Sequence, residues 1–188
     1  MEKNLSENIK MFKYAAFLRG INVGGNNLIK MEELKKVFES MGFRNVKTIL
    51  ASGNVIFESM EVKAPVIIQT IGEKLESAFG YNNGVIIRSI EQIRKIAIQE
   101  PFKQIKVTPQ TRLYVTFLQE KSKSSLKIPY ESPNKGYKII SNSEYEVFSV
   151  ATLSPEVQST DLMNILDKEF GRKVTTRNWN TIEKILKN

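Results

Sequence analysis

Residues 46–58, VKTILASGNVIFE, set two β-rich runs on either side of a turn of small residues. Val46–Leu50 and Asn54–Glu58 read as strands, and Ala51–Gly53 between them is long enough only for a hairpin connection. Ser52, Gly53 and Asn54 stand where such a turn needs residues that tolerate positive φ. Working outward, Lys13–Arg19 (KYAAFLR) is a strand-sized apolar run ending at Gly20. Met31–Met41 (MEELKKVFESM) places Met31, Leu34, Val37, Phe38 and Met41 on one helical face, with Gly42 as a stop. Beyond the hairpin, Pro65 opens a second helix carrying Ile67, Ile68, Ile71, Leu75 and Phe79 at helical spacing, and Gly80 closes it. Val85–Arg88 (VIIR) is a fourth strand. The order is β-α-β-β-α-β.

The same order is then expected a second time. Ser89 with Gln92 three residues later forms a capping-box pattern and opens a linking helix to about Gln99, ahead of Pro101. Arg112–Leu118 reads as a strand, Ser122–Lys127 as a short helix, and Tyr137–Ile140 with Tyr145–Val150 as a hairpin around Ser141–Glu144. Thr160–Phe170 is a helix, Lys173–Thr175 a short strand, and Trp179–Leu186 a final helix. The pattern predicts an α+β protein of two ferredoxin-like (β-α-β-β-α-β) subdomains packed together. They span 13–89 and 109–188, joined by a linking helix and loop over 90–108. Residues 1–12 form a polar N-terminal extension, either a lead-in or residues ahead of an alternative start at Met11. A single mixed sheet is the rival arrangement. The repeat is one of topology, with no residue-level repeat visible.

Composition excludes much chemistry. The chain has no Cys and no His, which removes disulfides, thiolate nucleophiles, His-based dyads and His-ligated zinc. Proton transfer would fall to Asp, Glu, Lys or Tyr with a shifted pKa. No carboxylate cluster suggests a metal, and no motif calls for a cofactor. No apolar run approaches a membrane span, and the first dozen residues lack the apolar core of a signal peptide, so no membrane association and a cytoplasmic location are expected. The net charge is +8, and both halves of the chain are basic. Such a surface attracts nucleic acid or phosphorylated metabolites, although it equally serves solubility.

Three loops hold the candidate ligand-binding residues. The first, RGINVGGNN, contributes Arg19, Asn22, Gly24, Gly25 and Asn26 ahead of a helix N-terminus, where backbone N–H groups and the helix dipole favour an anion. It is neither a Walker A motif nor a dinucleotide fingerprint. The second, ASGN, contributes Ser52 and Asn54. A ferredoxin-like unit brings it to the same end of the sheet as the first loop. The third, TTRNWNT, opens the last helix, with Asn178 as its N-cap. Arg177 there would need an anionic partner, because a cation beside a helix N-terminus is unfavourable. All three loops lack Asp, Glu, Lys and Tyr, which suits an anion cradle better than acid–base catalysis.

RGINVGGNNLIKMEELKKVFESMGF, TILASGNVIFES and VTTRNWNTIEKI together resemble the domain-of-unknown-function 1697 family of bacterial proteins, over roughly residues 13–187. The sequence departs from the family pattern at Ala51, where Gln is frequent. The resemblance implies two α+β, ferredoxin-like subdomains and brings no activity, substrate or cofactor. The leading functional expectation is therefore a binding module for an anionic ligand, either single-stranded nucleic acid or a phosphorylated small molecule. Two alternatives stand beside it: an enzyme on a phosphate-bearing or nucleotide-like substrate, and a protein-interaction module. Oligomeric state is left open.

Overall fold

A computed structural model describes residues 10–22, 28–155, 157–171 and 173–188. Residues 1–9 of the expected extension lie outside the described residues, as do Gly24, Gly25 and Asn26. The described chain is a mixed α+β protein with two antiparallel sheets and five helices.

The first sheet has the order β2-β3-β1-β4, from β1 (Phe12–Leu18), β2 (Arg44–Ile49), β3 (Asn54–Ser59) and β4 (Val85–Ser89). Helices α1 (Met31–Ser40) and α2 (Ala64–Phe79) cover one of its faces. Ala16, Leu18, Val55, Phe57 and Ile87 meet Leu34, Phe38, Ile67, Ile71 and Leu75 there, all buried. The expected hairpin joins β2 to β3. Gly53 in its turn has φ +70°, and a Cβ there would stand 3.1 Å from the Cβ atoms of Leu18 and Ile21. Both the positive φ and the close approach favour glycine there over a residue with a Cβ.

The second sheet has the order β6-β7-β8-β5-β9, from β5 (Thr111–Leu118), β6 (Tyr130–Glu131), β7 (Tyr137–Asn142), β8 (Glu146–Thr152) and β9 (Val174–Asn178). One helix, α4 (Ser159–Phe170), covers its outer face through Leu162 and Leu166. The helix expected at Ser122–Lys127 does not form, and residues 121–127 carry no regular secondary structure. Ser124 Oγ accepts from the Leu126 amide, a local bond that competes with helix, and Lys123 and Lys127 would stack like charges one turn apart. Strand β9 also runs further than Lys173–Thr175 and takes in Arg177 and Asn178.

The inner faces of the two sheets share a third core with α3 (Ile90–Ile98) and α5 (Trp179–Leu186). Ala15, Phe17, Ile56 and Ile86 come from the first sheet; Val115, Phe117, Phe148 and Val150 come from the second. At its centre the rings of Phe17 and Phe117 stack with centroids 4.5 Å apart. Such a pair contributes about 1 kcal/mol beyond the area it buries. Among the described residues no helix is long and apolar enough to cross a membrane.

Candidate functional site

Arg177 lies in a strand that runs straight into α5, one residue ahead of the Asn178 N-cap. It is the fourth residue of β9, 8% exposed, and its guanidinium crosses to the first half of the molecule. Nε donates to Asn54 Oδ1 at 2.5 Å; Nη2 donates to the Leu18 and Ser52 carbonyls at 2.6 and 3.4 Å. Nη1 donates to Thr175 Oγ1 and to the Thr176 carbonyl. The Phe17 ring lies 5.6 Å from Cζ. These acceptors are all neutral. Burial pushes the guanidinium down to about 10, which still leaves it charged at neutral pH. The partner that the sequence demanded for this cation is a carboxamide with a set of carbonyls, not a bound anion.

Arg88, the fourth residue of β4, is built in the same way from the other side. Its Nε donates to Glu146 Oε1 at 3.1 Å, and Nη2 donates to the Leu118 and Tyr145 carbonyls at 2.8 and 3.2 Å. Nη1 donates to the Ile87 carbonyl, and the Phe117 ring lies 5.4 Å from Cζ. The correspondence extends to the backbone. Leu18 N donates to Gly53 O as Leu118 N donates to Tyr145 O; Arg19 N donates to Gly84 O as Gln119 N donates to Lys173 O. Ser89 caps α3 as Asn178 caps α5. The two arginine junctions thus correspond position by position on either side of the Phe17–Phe117 stack. The sequence hides this, because equivalent positions carry different side chains: Asn54 and Glu146, Arg19 and Gln119, Ser89 and Asn178.

The remaining sequence-predicted residues fall around this junction. Arg19 Nη2 pairs with Asp167 Oδ2 of α4 at 2.6 Å, and Nη1 donates to the Val174 carbonyl. The Arg19 carbonyl accepts from the Tyr81 hydroxyl, whose pKa burial pushes up to about 12. Asn22 ties the first loop to the hairpin, since Nδ2 donates to the Ala51 and Ile29 carbonyls and Oδ1 accepts from Ile29 N. Asn54 Nδ2 donates to Ser52 Oγ and to the Ile49 carbonyl. The first and second loops therefore do meet, and Arg177 joins them. Asn178 is the N-cap of α5, accepting from Asn180 N.

A cleft that no loop motif announced opens on the Arg88 side, between the two halves. Its volume is about 580 Å³. Buried Tyr14, Ile86, Ile87 and Arg88 contribute its inner surface, with Glu146 beside Arg88. The exposed part of its lining includes Gln69 of α2, Gln92 of α3, Gln119 and Tyr145. The one sequence signal for it was a charged residue closing an otherwise apolar strand, VIIR. A groove of about 630 Å³ between residues 99–105 and β7 is lined mainly by exposed side chains, among them Glu100, Lys103, Gln104 and Lys138, and has no comparable buried floor.

A family model described as "Protein of unknown function (DUF1697)" matches residues 11–148. The chain belongs to this family. The matched span holds Arg88, Leu118, Tyr145 and Glu146, hence the polar core of the Arg88 junction, but not Arg177. No curated protein matches the chain. Among solved structures, a conserved bacterial protein, SP0830 from Streptococcus pneumoniae, is similar in fold, with a TM-score of 0.70 at 22% identity over 95% of this chain and 98% of its own.

Proposed function

We propose that this family member is a binding module whose ligand enters the cleft between its two halves on the Arg88 side. The observation that carries the reading is the cleft itself: about 580 Å³ with a buried inner surface, and polar side chains converging from both halves. The volume lies in the ordinary range for small-molecule pockets. The order β2-β3-β1-β4 is that of a ferredoxin-like unit. The order β7-β8-β5-β9 matches it, with an extra edge strand and without the first helix. This supports reading 13–89 and 109–188 as two ferredoxin-like subdomains linked through 90–108. A junction between subdomains is a favoured place for a ligand.

A fragment screen followed by amide NMR tests the reading. Shifts are expected to cluster on Ser89, Gln92 and Gln119 and to vanish in Ile68→Trp, which fills the cleft wall. Shifts confined to residues 99–105 and β7 would overturn it.

An anionic ligand, single-stranded nucleic acid or a phosphorylated small molecule, is the second reading, favoured by the net charge of +8. Arg19 and Arg177 do not carry it, because their guanidinium groups serve protein acceptors. It rests on the exposed lysines of both halves. Affinity for a single-stranded oligonucleotide should then fall steeply between 50 and 200 mM salt, roughly in proportion to the phosphates contacted. A flat profile would remove it.

A further inference from the structure

The cleft's lining is selective in charge as well as in shape. Its two ionised side chains, Arg88 and Glu146, lie 3.1 Å apart and neutralise one another. An anionic ligand would meet the Glu146 carboxylate, and a cationic one would meet the Arg88 guanidinium. Neither charge can be spent on a ligand without leaving its partner unpaired and only 10–14% exposed. The lining therefore favours an uncharged occupant.

Its remaining polar groups are chiefly carboxamides, and their neighbours orient two of them. Gln92 Oε1 accepts from Ser89 N in the α3 capping box, which leaves the Gln92 NH2 to donate. Gln69 Nε2 donates to Glu73 Oε1, which leaves the Gln69 carbonyl to accept. The Gln119 carboxamide bonds to no described protein group and can do both. Flat apolar surface comes from the Tyr145 ring, 37% exposed, and from Ile68 and Pro65.

We propose that the cleft takes an uncharged, planar heterocycle of the nucleoside class and recognises its lactam edge, one carbonyl beside one ring N–H, through Gln92, Gln119 and Gln69. An aromatic platform suits a heterocycle of any kind, whereas hydrogen-bonding groups on the lining discriminate against an analogue that lacks a matching group. The inference rests on the cleft being the binding site.

Titration of the full chain with uridine, 3-methyluridine, uridine 5′-monophosphate and guanosine, read on the Ser89, Gln92 and Gln119 amides, tests it. Uridine or guanosine is expected to shift these amides in the micromolar to millimolar range. 3-Methyluridine, which lacks the lactam N–H, should bind at least tenfold more weakly. The monophosphate should bind within threefold of uridine, and Gln119→Leu should weaken uridine at least tenfold without altering the fold. A monophosphate more than tenfold tighter, or 3-methyluridine equal to uridine, overturns the proposal. If nucleosides leave the amides unmoved while uncharged aromatic or aliphatic fragments move them, the ligand class fails and the cleft reading stands. If no probe moves them, both fail.

Discussion

Arg177 and Arg88 hold the same position in their strands and reach the same places in the opposite half, yet one meets a carboxamide and the other a carboxylate. Asn54 faces Arg177 and Glu146 faces Arg88. At the Arg177 junction every acceptor is neutral, and the side chain is sealed between Phe17 and the ends of β1 and β3. At the Arg88 junction the charges cancel and both side chains border a cleft. A buried guanidinium already bonded to three carbonyls can therefore be completed in two ways: by a neutral carboxamide and hydroxyl, as at Arg177, or by a counterion, as at Arg88. The first way suits a permanent seam. The second leaves a neutral polar lining that a ligand can use.

The largest effect should come from removing the cations. Arg177→Met is expected to cost about 3–5 kcal/mol, because it strips Asn54 Oδ1 and the Leu18 carbonyl of their donor in a dry site. Arg88→Met should cost somewhat less, about 2–3 kcal/mol, because Glu146 borders the cleft and keeps its bond from the Ser143 hydroxyl, which lowers the cost of a carboxylate left without its counterion. Urea unfolding of both variants measures the difference, and the reverse order would break the comparison.

Exchanging the acceptors sharpens it. Asn54→Asp would give Arg177 a counterion but take away the donor that Asn54 Nδ2 offers Ile49 O and Ser52 Oγ. A net loss of about 1–3 kcal/mol is expected. Glu146→Gln converts the Arg88 junction to the neutral arrangement and should cost about 1 kcal/mol or less. If Asn54→Asp stabilises the protein, the carbonyl cage is not what holds Arg177.

The smallest effect is expected at Arg19. Its pair with Asp167 is 30% exposed at the arginine and 41% at the aspartate, so Arg19→Ala should lower stability by no more than about 1 kcal/mol in urea unfolding. A loss as large as that of Arg177→Met would mean that the Arg19 bridge, not the buried arginines, fastens the halves.

What could be foreseen from sequence was local chemistry. The turn at Ser52–Gly53, the Ser89–Gln92 box and the Asn178 cap depend on residues within a few positions of one another, and each is present. Arg177 was singled out because its charge sits badly beside a helix N-terminus, and it proved to be a strand residue directly ahead of the α5 N-cap. Its acceptors in the first half lie 123 to 159 residues earlier, beyond any local pattern. Arg88 carried only the faint signal of a charge in an apolar strand. At the expected helix Ser122–Lys127, the Ser124 side chain instead satisfies the Leu126 amide locally.

The Phe17–Phe117 stack and the Arg177 cage also bear on how the protein is made. During synthesis, Leu18, Ser52 and Asn54 emerge more than 120 residues before the guanidinium that completes them. Until α3 and the second sheet arrive, the first sheet's inner face with Phe17 and Ile56 lacks its cover, and until β9 arrives the Leu18 and Ser52 carbonyls and Asn54 Oδ1 lack their donor. The nascent first half is thus a sticky, unfinished object for most of its time on the ribosome. Burial of that face is completed only by residues far along the chain, from β5 through β9, and until then it is apolar surface of the kind that associates.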